Sequence, residues 1–120
     1  MIEETPALED PAFALADAIR SAVLAVPGVL ALSPGVGFVE ATYGRNRAIY
    51  GVGLQREPGC IGVNVHVVVA EEPIPHLAQH LRRAVYARVQ TECGLPAEPI
   101  NLWIDDMHLG VYAPSPPERP

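Results

Sequence analysis

The segment "CIGVNVHVVVA", residues 60 to 70, constrains this chain more than any other. Ile61, Val63, Val65, Val67 and Val69 recur at every second position, which is the period of a strand and not of a helix. Gly62, Asn64 and His66 take the positions between them. One face of this strand must therefore be covered by apolar partners, while the other is mixed. A histidine on such a mixed face reads as a hydrogen-bonded partner of neighbouring polar residues rather than as a ligand.

Two amphipathic segments can supply the cover. Asp10 and Pro11 fit an N-cap and a first-turn proline, and Phe13, Ala16, Ile19, Val23 and Val26 follow at helical spacing, predicting a helix over about 11–26 that Pro27 and Gly28 end. Pro75 opens a second helix, whose stripe of Leu77, Leu81, Ala84, Val85 and Val89 runs to about Cys93 before Gly94 stops it. "VLALSPGVG" reads as a short extended piece and a turn. "FVEATY" (38–43) and "AIYGVGLQRE" (48–57) read as strands, the latter joined to the valine strand by a tight turn at Pro58 and Gly59. In "INLWIDDMHL" (100–109), Ile100, Leu102 and Ile104 point one way while Asn101, Trp103 and Asp105 point the other, which predicts a closing strand.

The expected fold is α+β: a small, mostly antiparallel sheet with two helices packed on one face, in the order helix, two to three strands, helix, strand. One domain is expected over 11–109, between a flexible acidic tail at 1–10 and a proline-rich, disordered tail at 110–120.

The 120 residues carry a net charge of −6, so the summed field repels phosphate backbones and anionic lipid head groups, and neither nucleic acid nor direct membrane insertion is expected. All eight basic residues are arginine, as in proteins from GC-rich bacterial genomes. The N-terminus is acidic where a secretory signal is basic and then apolar, and no apolar run reaches the roughly 20 residues that span a bilayer. A cytoplasmic location is expected, with Cys60 and Cys93 as reduced thiols.

Residues able to carry chemistry are few. Strand alternation sends Asp105 and Asp106 to opposite faces, which argues against a carboxylate dyad, whereas Asp106 and His108 share a face and can pair. His76 and His80 stand four apart on the second helix, the spacing of helical zinc ligands. The intervening "LAQ" lacks the glutamate of HExxH, and Gln79, Arg83 and Gln90 extend a solvated stripe around them. Arg82, Arg83 and Arg88 form a local basic patch. The glycines form neither GxGxxG nor a P-loop, and no lysine exists to meet a phosphate. Gly51 and Gly53 leave one strand face without side-chain bulk, suited to a bulge or to close approach by another backbone. No catalytic residue and no cofactor is expected.

Taken in order, the helix ending "AVPGVLALS" (25–33), the hairpin "YGVGLQREPGCIGVNVHVVV" (50–69), the helix "IPHLAQHLRRAVYARVQTECGL" (74–95) and "INLWIDDMHL" (100–109) resemble the alkaline shock protein family, the envelope stress response proteins of Gram-positive bacteria. The resemblance covers about residues 13–109; the chain departs from the family in "GVGFVEATYGRNRA", expected as a variable loop, and in a second helix poor in lysine and glutamate. It implies a non-enzymatic scaffold or adaptor that associates with itself and is held at the inner face of the cell membrane by a small membrane-anchored partner. The candidate contact residues are Tyr50, Val52 and Leu54 on the glycine-bearing strand, Arg82, Arg83 and Arg88 on the second helix, and Trp103 on the last strand. The rival reading is a metal-binding or iron–sulfur-assembly protein using Cys60, Cys93, His76, His80 or His108, since a "VPGV" turn after the first helix also occurs among cluster-assembly factors.

Overall fold

In the computed structural model, which describes residues 10–71 and 73–108, helix α1 (Pro11–Leu24) starts as its cap dictates. The Asp10 carboxylate accepts the Ala12 N–H at 2.8 Å, and Pro11 occupies the first turn, where no donor is required. Four short strands follow: β1 (Val29–Leu32), β2 (Ala41–Gly44), β3 (Arg47–Tyr50) and β4 (Val52–Glu57). The long strand β5 (Cys60–Ala70), helix α2 (Ile74–Cys93) and strand β6 (Ala97–His108) complete the order. Gly94 ends α2 in the left-handed conformation, at φ 75°. Apart from Asp10, the tails expected at 1–10 and 110–120 lie outside the described residues.

Strand β5 is the centre of the sheet. Along one edge it pairs antiparallel with β4 over Cys60–Val65 and with β1 over Val67–Val69; along the other it pairs parallel with β6. A parallel neighbour needs a crossover, and α2 provides it. The valine face of β5 meets Leu77, Leu81, Val85 and Val89 of α2 and Phe13, Ile19 and Val23 of α1 in one buried cluster. The chain is therefore α+β, with both helices on one side of the sheet, as the alternating valines require. No helix among the described residues is long and apolar enough to cross a membrane.

Strands β2 and β3 form a separate hairpin seated on α1. Gly44 lies against the Phe13 ring, where a Cβ would collide, and the Arg47 guanidinium stacks 4.6 Å from the centroid of the same ring.

Four local expectations change. The segment expected as one strand over 48–57 is two, broken at Gly51, whose φ of 88° lies in the left-handed region. Gly51 marks a close backbone approach: a Cβ there would stand 2.7 Å from the Ser33 carbonyl oxygen. The strand expected from Phe38 starts only at Ala41, so residues 33–40 run outside regular structure, and the extended piece at 29–32 is a paired strand. The last strand begins at Ala97 rather than 100, along the whole length of β5.

Candidate functional site

The alternation that buries the valines sends Asn64 and His66 to the opposite, outer face of the sheet. The parallel register then sets Asn101 beside Asn64 and Trp103 beside His66. The indole lies flat on the imidazole, with centroids 4.5 Å apart and planes 3° from parallel. Phe38 meets the same imidazole edge-on at 5.5 Å and 77°.

The irregular segment 33–40 reaches this face because its backbone is pinned at both ends. The Ser33 N–H donates to the His66 carbonyl at 2.9 Å, the Glu40 N–H donates to the Pro34 carbonyl at 2.8 Å, and the Glu40 carbonyl accepts the Gly51 N–H at 2.8 Å. The Glu40 side chain consequently lies across Gly53, in space that a side chain on Gly53 would fill. The missing bulk at Gly53 accommodates a carboxylate, whereas that at Gly51 accommodates backbone.

Five side chains form a continuous polar chain across the outer face. Asn101 Nδ2 donates to Asn64 Oδ1 at 3.0 Å, and Asn64 Nδ2 lies 3.5 Å from Glu40 Oε2. Glu40 Oε1 faces His66 Nε2 at 3.3 Å, and His66 Nδ1 faces Asp105 Oδ2 at 3.0 Å. The His66 side chain is 1% exposed and that of Asp105 8%. Each ring nitrogen faces a carboxyl oxygen and one ring face is covered, so both nitrogens are engaged within the protein in this arrangement.

Asp105 reaches His66 through a bulge. Val67 pairs with Ile104 and Val68 with Asp106, so Asp105 and Asp106 stand opposite a single residue of β5. Unbroken alternation would put Asp105 and Asp106 on opposite faces; the bulge puts both on the outer side and returns Met107 to the core cluster. They still form no dyad. Asp105 serves His66, while Asp106 Oδ2 lies 3.6 Å from His108 Nε2 on the exposed end of the strand.

The other sequence-derived candidates are dispersed. Val52 is 0% exposed in the core, because β4 alternation turns it toward the helices, so it is not an accessible contact residue. Leu54 is partly buried against the same core, and exposed Tyr50 borders a groove of about 540 Å³ between α1, β1 and β3 that Arg20 and Arg47 also line. Arg82 donates to the Ile100 carbonyl and Arg88 to the Ala18 carbonyl at 3.1 Å, which ties α2 to β6 and to α1. Arg83 is exposed on the helix layer, whereas Trp103 lies on the far side of the sheet, so the arginines and Trp103 do not form one surface. His76 and His80 touch, with ring centroids 4.4 Å apart. Among the described residues, no three or more His, Cys, Asp or Glu side chains are grouped to hold a metal ion. Cys60 is half-buried and Cys93 exposed, both as free thiols.

Glu40, Phe38, Asn64 and Asn101 escaped the sequence reading as site residues. The one available signal was the pairing of a bare glycine face at 51–53 with a lone glutamate in the preceding "FVEATY". No family model matches the chain, and neither does any curated protein or solved structure.

Proposed function

We propose that this chain is a non-enzymatic scaffold or adaptor, working by self-association and by contact with a membrane-anchored partner at the cytoplasmic face of the cell envelope. The envelope-stress assignment rests on the resemblance to the alkaline shock proteins. The observation that carries the contact reading is the seating of Trp103, which is 39% exposed and stacked on a buried imidazole held between two carboxylates. A half-exposed indole that is already ordered loses little conformational freedom on binding, and tryptophan is enriched among residues that dominate interface energetics. Phe38, 53% exposed, extends the apolar surface beside it. Engagement of both His66 nitrogens supports binding over proton-transfer chemistry.

The test compares wild-type protein with Trp103→Ala by sedimentation velocity, and by affinity capture from membrane and soluble fractions. The wild type is expected to self-associate and to be recovered from the membrane fraction with a small transmembrane protein, while a folded Trp103→Ala variant loses both. A wild type that stays monomeric over the concentration range and is recovered without a partner overturns the proposal. The His76–His80 contact favours a second, metal-binding reading. Near-stoichiometric zinc or iron in anaerobically purified protein, lost in His80→Ala, is the result that would favour it.

A further inference from the structure

We propose that the outer edge of β6 pairs antiparallel with the same edge of a second copy of this chain, centred on Trp103. The inference rests on the self-association reading above and names how the copies meet. Among the described residues β6 pairs with β5 alone, so its other edge carries backbone groups that no strand takes up. Which groups these are follows from β5. The His66 N–H donates to the Gly51 carbonyl and the His66 carbonyl accepts the Ser33 N–H, so the His66 backbone faces the side of β1 and β4. Its neighbours Val65 and Val67 therefore face β6. In a parallel pair such a residue bonds to the two residues that flank its register partner. Val65 stands opposite Leu102 and Val67 opposite Ile104, so the backbone of Asn101, Trp103 and Asp105 turns to β5, and the N–H and C=O of Leu102 and Ile104 point away from it.

Sheet edges are commonly blunted by prolines, bulges and charged side chains. On β6 such devices flank this stretch without occupying it. Pro99 has no N–H to offer, Arg82 donates to the Ile100 carbonyl, and beyond the bulge Val69 pairs with Met107, which turns the Asp106 backbone to β5. Leu102, Trp103 and Ile104 lie between them, and these limits set the register. In a two-fold antiparallel pair centred on Trp103, Leu102 of each copy stands opposite Ile104 of the other, and each donates its N–H to the other's carbonyl. Centring on Leu102 would need Ile100, whose carbonyl Arg82 already engages, and centring on Ile104 would need Asp106, which faces β5. The side chains agree with the same register. On the outer face the two Trp103 rings adjoin across the axis, and Asn101 meets Asp105 of the other copy, amide to carboxylate; toward the helices, Leu102 meets Ile104, both partly buried against the core. The result is one sheet continuous through both copies.

The experiment is amide hydrogen exchange of the full chain, resolved by residue with NMR over a concentration series, beside sedimentation velocity of the same samples. The Leu102 and Ile104 amides are expected to exchange freely in the monomer, and about tenfold more slowly when about nine-tenths of the chain is dimeric, because exchange then proceeds through the remaining monomer. The Trp103 amide, bonded to β5, is expected to be protected throughout. Leu102→Pro removes one outward N–H where an edge strand tolerates proline, and is expected to stay monomeric while circular dichroism shows it folded. A folded Leu102→Pro that still dimerises overturns the proposal. Self-association of the wild type without slowing at Leu102 and Ile104 overturns the edge pairing and leaves the contact reading standing. A chain that never dimerises overturns the edge pairing whether or not a membrane protein is captured with it. Slow exchange of the two amides in samples that sediment as monomer overturns it as well, since a segment of the same chain then covers the edge. Concentration-dependent slowing that persists in Trp103→Ala removes the indole contact and leaves the edge pairing standing.

Discussion

Strand β5 has two faces built by different physics. Toward the helices, Val63, Val65, Val67 and Val69 are fully buried and held by area and shape alone. Toward the outside, Asn64 and His66 are held by directed partners: two carboxylates, one amide and an indole. The apolar face tolerates any neighbour of the right volume, so its contacts are interchangeable. Each group on the polar face needs a particular atom at hydrogen-bonding distance, and losing one partner strands another.

The most severe break in this comparison is His66→Leu. It removes the ring that faces both the Asp105 and Glu40 carboxyl groups in a shielded site, and a loss of about 3–5 kcal/mol is expected in urea unfolding. Changing all three together, with Glu40→Met, His66→Leu and Asp105→Leu, is expected to recover most of that loss, because an apolar replacement of a whole buried charge network strands nothing. A single variant costing less than about 1 kcal/mol would show that the outer face is not held by its charges. On the inner face, Leu81→Ala empties a fully buried position and should cost about 2–5 kcal/mol, with no sensitivity to any outer-face substitution in a double-mutant cycle.

Gly53→Ala sharpens the comparison further. The new methyl group displaces the Glu40 carboxylate and so acts on the polar face without touching the core, at an expected cost of about 1–3 kcal/mol. That cost should shrink markedly in a Glu40→Ala background; equal costs in both backgrounds would mean that Gly53 is required for its backbone alone. The smallest effect is expected at the solvent-exposed rim, where Asn101→Ala removes one amide hydrogen bond worth about 0.5–1.5 kcal/mol and leaves the Trp103 emission spectrum unchanged.

The inner face was legible from the chain alone. The alternation of residues 61–69, the stripes of the two helices and the cap residues Asp10 and Gly94 are local signals, each read within a few residues of itself. His66 was legible as a hydrogen-bonded residue, although its partners were not. Glu40 lies 26 positions before it and Asp105 39 positions after it, and neither separation carries a period. The bulge at Asp105 and Asp106 shows in the chain only as the three-residue step from Ile104 to Met107, and its consequence for Asp105 depends on the register against β5.

The sequence by itself therefore determined the layers: which residues face the helices, where each helix starts and stops, and that one strand face is dry. Those outcomes follow from periodicity and from capping, which act over a single turn or a pair of residues. Only the tertiary structure decided what the other face holds. Segment 33–40 folds back beside β5, Gly53 leaves room for a carboxylate from that segment, and a shifted register on β6 aims a second carboxylate at the same ring. Hydrogen bonds select atoms at about 3 Å rather than residue types at a fixed spacing, so a network of this kind becomes visible only when distant segments have been brought together.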